Sequence, residues 1–301
     1  MKQISAIVFY TLISSVILAQ SPIITKRFSL PDDAGARFHP VFNTAGDKLL
    51  HTVSGYAGLS LYDFNSQKTI TISNDAGSGF EPVFSNNDSR IFFRRTSFEN
   101  GRKSDAIAAY NLPENSIIPM ISPRRNVRQL DAFENGFLVS ADEKVMKVTF
   151  GKTNNDNLRY VTTENLKMVL YDRNVKKILN PAGTSESRYI WVSLSPDKQK
   201  ILFTSAGQGT FVCDLNGKII ASLGYLNAPV WYNDDWVVGM NDKDDGHRLI
   251  SSEVIMKHLY NGNTKRLSEA GEKAMYPTAA TGKVAWHTDQ GIIQIVELSF
   301  R

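Results

Sequence analysis

Residues 37–51 read RFHPVFNTAGDKLLH, and residues 79–93, forty-two positions further on, read GFEPVFSNNDSRIFF. Each has Phe, one residue, Pro-Val-Phe, a polar turn and then a run of apolar side chains. A phrase repeated at that spacing marks a structural repeat, each copy one supersecondary unit. Residues 189–206 (YIWVSLSPDKQKILFTSA) follow the same plan, and residues 227–240 (NAPVWYNDDWVVGM) do so with a tighter turn. Residues 128–140 (RQLDAFENGFLVS) and 276–287 (YPTAATGKVAWH) are weaker copies, which makes six.

Each copy leads into a third strand ending in an acidic or amide step: SLYDFNSQ, AAYNLPEN, VLYDRNVK, FVCDLNGK, HLYNGNTK and QIVELSFR. The acidic or amide side chain can bond nearby backbone and start a turn. Five copies go on to a fourth short strand (TITIS, IIPMIS, KKILN, KIIAS, KRLSE), and the sixth has none before Arg301. The missing piece stands at the other end, where TKRFS (25–29) matches TKRLS (264–268). A circular array resolves both anomalies, because the first strand can complete the last sheet. Radial closure of that kind defines a β-propeller and leaves only short sheet edges. The expectation is an all-β, six-bladed propeller of four-stranded blades over residues 21–301, closed by its N-terminal strand. The third copy is long, and GKTNNDNLRYVTTENLK (151–167) reads as an inserted hairpin or loop.

The turn in LSPDKQKILFTS (194–205), with VFSNNDSRIFF and VFNTAGDKLLH, resembles the PD40 (WD40-like) repeat of TolB-type propellers. That repeat has a Ser-Pro-Asp-Gly-like turn after its first strand and an Asp-Leu step after its third. The resemblance implies an exported, periplasmic six-bladed propeller. TolB-type proteins carry an α/β domain before the propeller, for which the sequence ahead of the first copy has no room.

Composition agrees with export. Lys2, an apolar stretch from Ile4 to Leu18 and the small or polar Ala19, Gln20 and Ser21 have the layout of a cleaved signal peptide, residues 1–20. No later segment approaches the roughly 20 apolar residues that span a bilayer. The formal charge of +4 is scattered, whereas a nucleic-acid binder gathers positive charge on one face. Cys213 is the only cysteine, so stability must come from a large core rather than from a disulfide. Its apolar setting, TFVCDL, reads as a buried thiol.

Catalytic signatures are missing. A Gly-x-Ser-x-Gly nucleophile elbow does not occur. NDKDDGHR (241–248) fails as a calcium loop: Lys243 takes a ligand position and Ser252 ends the loop, so it reads as a hairpin tip. The starts of the first strands, which a propeller brings to the mouth of its channel, hold His39, Glu81, Arg128 or Gln129, Trp191, Asn227 and Tyr276. Phe42, Phe84, Leu194 and Trp231 share one repeat position and are expected in the core between blades.

The sequence therefore points to a non-catalytic binding or scaffolding propeller of the bacterial cell envelope, periplasmic or secreted. Its expected partner is an envelope protein, with no metal, no cofactor and no nucleic acid; the Asn-rich segment 153–157 is the expected contact. The channel mouth could also take a glycan or small molecule. The alternative is a carbohydrate-active propeller, lyase or hydrolase-like, using His39 and Glu81 with Arg128 as acid, base and cation.

Overall fold

The repeated phrase is the first hairpin of a blade. In the computed structural model, which describes residues 21–31, 35–133, 136–141, 144–150, 158–173, 175–184 and 186–301, β1 (Pro22–Ser29) precedes the first copy. Blade one is β2 (Phe38–Phe42), β3 (Lys48–Thr52), β4 (Leu59–Asp63) and β5 (Lys68–Ser73). Blade two is β6 (Val83–Phe84), β7 (Arg90–Glu99), β8 (Arg102–Asn111) and β9 (Ser116–Arg124). Blade three has β10 (Leu130–Phe133), β11 (Gly136–Ala141) and β12 (Lys144–Thr149); blade four has β13 (Arg159–Glu164), β14 (Lys167–Asp172) and β15 (Val175–Leu179). Blade five is β16 (Tyr189–Leu194), β17 (Lys200–Ser205), β18 (Gly209–Asp214) and β19 (Ile219–Gly224). Blade six is β20 (Asn227–Trp231), β21 (Trp236–Asp244), β22 (Leu249–His258) and β23 (Thr264–Arg266). Blade seven is β24 (Ala274–Ala280), β25 (Lys283–Thr288) and β26 (Ile293–Phe300), with β1 antiparallel to β26 as its outer strand.

The propeller thus has seven blades, not the six expected. The extra blade comes from the third copy. Its six strands, taken as one blade with an insert, divide into two sheets of three. Parity explains why the short blades come as a pair. A four-stranded blade returns the chain to the face it started from; a three-stranded blade leaves it on the opposite face, and only a second odd blade brings it back. β10 starts at the channel mouth beside Glu81 and Trp191. β13 starts at the far end, where Arg159 donates to the Lys198 carbonyl in the β16–β17 turn, and finishes at the mouth with Thr163. The inner strand of blade four therefore runs against its neighbours. Residues 1–20 and 153–157, expected as signal peptide and partner loop, lie outside the described residues.

Second strands carry the core because they are covered on both faces. β3, β7, β11, β14, β17, β21 and β25 are continuous apolar runs rather than alternating ones, and each has a buried stretch. Apolar clusters fill six seams: Leu49 with Ile295, Leu50 with Phe93, Phe92 with Phe137, Met168 with Phe203, Val212 with Val237, and Val238 with Trp286. Phe42, Phe84, Leu194 and Trp231 pack in or against these clusters, as expected from the repeat. No such cluster spans blades three and four among the described residues.

The Ser-Pro-Asp turn is structural. The Ser195 hydroxyl accepts from the Lys200 amide at 2.9 Å, and the Asp197 carboxylate accepts from the Gln199 amide at 2.9 Å. Side chains close the turn so that the backbone need not, which is the ordinary use of Ser and Asp there.

Candidate functional site at the channel mouth

The Pro-Val phrase has a geometric purpose. His39, Glu81, Trp191, Ala228 and Tyr276 take positive φ, between 44° and 50°, though none is glycine. Such backbone is costly for an L residue and clusters at functional places. In blades one, five, six and seven the first strand skips register at this point. The next residue is Pro40, Pro82, Pro229 or Pro277 in four blades, and Val192 in the fifth. Proline has no N–H, so the bulged peptide leaves no donor unpaired. Strands β10 and β13 pair without a bulge.

The bulges divide the expected residues into two groups. Glu81, Arg128, Gln129 and Trp191 line one cleft of about 670 Å³ over blades two to five, with Asp131 on its wall. His39 and Tyr276 belong instead to a nest of rings between blades seven and one. The His39 ring stacks on Tyr56 at 4.5 Å, with Tyr276 at 4.6 Å and His287 at 4.9 Å. Phe80 meets the Tyr56 edge at 5.0 Å and connects nest to cleft. Asn227 sits one residue before the bulge at Ala228, and its amide donates to Asp242 at 3.0 Å.

Electrostatics in the cleft centre on one buried cation. Arg94 is 1% exposed; its Nη2 lies 3.5 Å from the Glu81 carboxylate and donates to the Arg128 carbonyl, with Phe80 under its guanidinium at 5.0 Å. Much of the Glu81 side chain faces the channel, yet surrounding protein lifts its carboxyl above the usual value, against the pull of Arg94. Asp131 is half-buried, but protein crowds its carboxyl and desolvation pushes it up to about 7. The Gln129 amide donates to it and opposes the shift, while the Glu81 charge adds to it. Gln129 Oε1 accepts in turn from the Thr162 hydroxyl at 2.5 Å and the Thr163 amide at 3.3 Å. The result is a polar chain from blade two to blade four.

In the ring nest, burial lowers His39 to about 4, and His287 pushes the same way. His287 is itself lowered by burial. His39 and Glu81 share no hydrogen bond, and His39 does not line the cleft, so the His-Glu-Arg trio is split. No group of three or more His, Cys, Asp or Glu able to hold a metal occurs among the described residues. Burial pushes the Cys213 thiol up to about 12, as an inert core thiol requires. Asp244 and Asp245 accept from the amides of Gly246, His247 and Arg248, which makes NDKDDGHR a self-capped hairpin tip.

Sequence reading missed Asp131, Arg94, Tyr56 and His287. Asp131 had a signal: in RQLDAF a charge stands inside a short first strand. Arg94 is masked by lying in an apolar second strand, and Tyr56 and His287 reach the mouth only through the fold.

No protein-family model matches the chain, and no curated protein is detectably similar to it in sequence. Solved structures do match. The Cps50 (Swd1) β-propeller domain of Myceliophteria thermophila superposes with a TM-score of 0.59 at 9% identity, over 91% of this chain and 100% of that one. An oligogalacturonate lyase solved in complex with manganese gives 0.50 at 10%, over 88% and 78%. TolB from Acinetobacter baumannii gives 0.47 at 13%, over 89% and 64%. At such identities the likeness is one of fold: this chain is a β-propeller.

Proposed function

We propose that this protein is a non-catalytic binding propeller, exported to the bacterial envelope, that recognises a protein partner across its channel-mouth face. The observation that carries the reading is the set of strained non-glycine residues gathered at one mouth. Backbone strain repeated in five blades there, with exposed Trp191 and Tyr276 among them, suits a recognition surface. Rigid, loop-decorated faces of this kind serve protein binding well. The export part rests on residues 1–20; no helix among the described residues is long and apolar enough to cross a membrane. The test is affinity capture from a native envelope extract with the wild-type protein and with a Trp191→Ala, Arg128→Ala double variant. One stoichiometric partner, kept by the first and lost by the second at unchanged melting temperature, is the expected result. Equal retention by both would sink the reading.

A second reading has one observation in its favour, the raised carboxyls of Asp131 and Glu81 in one cleft. A carboxyl held near neutrality, beside a second one raised above its usual value, is what acid–base work on a glycan would use. Oligosaccharide cleavage by the wild-type protein, abolished by Asp131→Asn, would establish it; no cleavage of acidic or neutral oligosaccharides would remove it.

A further inference from the structure

The β7–β8 hairpin is longer than its blade. β6 pairs with β7 only at Ile91 and Phe92, and β9 follows β8 only as far as Asp105, so residues 96–104 project as a two-stranded arm. One face of that arm and the loop from blade two to blade three enclose two adjoining clefts of about 490 and 430 Å³ that share Arg102, Lys103 and Arg125. The first also contains Val127, and so does the channel-mouth cleft, which places the two side by side.

The charges of this wall are unevenly matched. Asp105 is buried, accepts from the Thr96 hydroxyl at 2.5 Å and pairs with Lys103 at 3.2 Å. Arg95 is taken by Asp75 at 2.6 Å. Arg102, Arg125 and Arg128 have no ion-pair partner among the described residues, although Glu99 sits across the strand pair from Arg102. Beside them, opposite Lys103 in the register, Phe98 is 70% exposed. A phenyl projecting beside Lys103, on the arm that also carries Arg102, is an unusual surface, since a merely solvated charged arm has no use for the ring.

We propose that this arm is a docking wall for an extended, acidic segment of a protein partner, running from the arm past Arg125 to Arg128 at the mouth. The proposal rests on the reading of the mouth as a recognition face and names the chemistry of its partner. Guanidiniums bind carboxylates in a bidentate fork, and Phe98 takes an apolar side chain between the acidic ones. A neutral sugar chain would leave the three guanidiniums without charge partners, and a nucleic acid calls for several stacking rings where the arm has one.

The test uses fluorescence anisotropy with the intact protein and a labelled peptide of about ten residues, Glu alternating with Phe and Leu. The acidic peptide binds and weakens several-fold between about 50 and about 200 mM salt, while its Gln-for-Glu analogue does not bind. Arg102→Ala with Arg125→Ala weakens binding by about tenfold or more, and the Lys pair at these positions retains part of it. Circular dichroism confirms that these exposed substitutions leave the fold in place. Equal binding of the Gln analogue, tighter binding of an acidic oligosaccharide, or an unchanged Kd in the Arg pair would overturn the proposal. The mouth is read separately with Trp191→Ala and Arg128→Ala. Loss there with an intact arm effect supports both readings, and loss there alone removes the arm. Loss in the arm pair alone confines the docking wall to Arg102 and Arg125, overturns its run to Arg128 and removes the mouth.

Discussion

The seam between blades seven and one and the seam between blades three and four hold the ring by opposite means. The first is dry and over-determined. Leu49, Phe42, Ala285 and Ile295 interlock across it, the Phe42 amide donates to the Thr278 hydroxyl at 3.2 Å, and Lys283 reaches the Gly46 carbonyl at 2.9 Å. The ring nest of His39, Tyr56, Tyr276 and His287 covers its mouth end, and β1 completes the sheet behind it. The second joins two three-stranded sheets through Gln129, held by Thr162 and Thr163, with no apolar cluster among the described residues. Chain connectivity accounts for the difference. Blades three and four are consecutive, so the backbone already holds them together. Blades seven and one are joined only by β1, and closing so long a loop costs entropy that packing must offset.

The sharpest way to break this comparison uses one chemical change in two places. Leu49 is fully buried within the closure cluster, while Leu138 is nearly buried but lines the lower channel cleft beside Arg159 and Val161. Leu49→Ala should destabilise by about 2–5 kcal/mol, transfer and cavity terms together. Leu138→Ala should lie at or below the bottom of that range, because an open cleft lets the surroundings relax. Urea denaturation of both variants measures it. Equal losses would mean that the seams are equally tight.

Sequence legibility follows the same division. Blades one, two, five, six and seven were readable because each first strand carries a bulge phrase or a Ser-Pro-Asp-like turn, and TKRFS led to the closing strand that the structure pairs with β26. Blades three and four carry no bulge in β10 or β13, so nothing announced a second inner strand. The signal was elsewhere. GFLVS and KMVLY are both uninterrupted apolar runs of the second-strand type, so the third copy holds two of them. VLYDRNVK reads as a third strand because of its Tyr-Asp step, but the burial of KMVLYD and its place between β13 and β15 show a covered middle strand. At the mouth, the positions of Glu81, Arg128 and Trp191 were legible from the repeat. Their separation from His39 was not, because it depends on how far round a seven-bladed ring each blade stands.

A smaller effect sharpens the polar seam. Gln129→Leu removes the acceptor for Thr162 and Thr163 and the donor to Asp131 at once. Leaving such groups without partners should cost about 1–3 kcal/mol. Amide hydrogen exchange should rise in β10 and β13 and stay unchanged in β2 and β24. A uniform rise around the ring would show that the seam does not open by itself.

The finest test uses the opposite signs with which the two seams respond to pH. Desolvation holds Asp131 up to about 7, so between its unfolded value near 3.8 and 7 the native chain keeps a proton that the unfolded chain has released. Stability from that seam is therefore fully present in acid and is lost as pH rises through this window. His39 is lowered from 6.5 to about 4, so between those values the unfolded chain binds the extra proton. Stability from the closure seam is present above 6.5 and is lost as pH falls towards 4. The two windows overlap and their slopes oppose, so Asp131→Asn should leave stability rising with pH between about 4 and 6.5, and His39→Phe, which keeps an aromatic ring against Tyr56 and Tyr276, should leave it falling as pH rises to about 7. Urea midpoints measured from about pH 4 to pH 8 for the two variants and the parent separate the contributions. If both variants changed the slope in the same direction, one seam alone would be setting the pH response, and the contrast drawn between the two would fail.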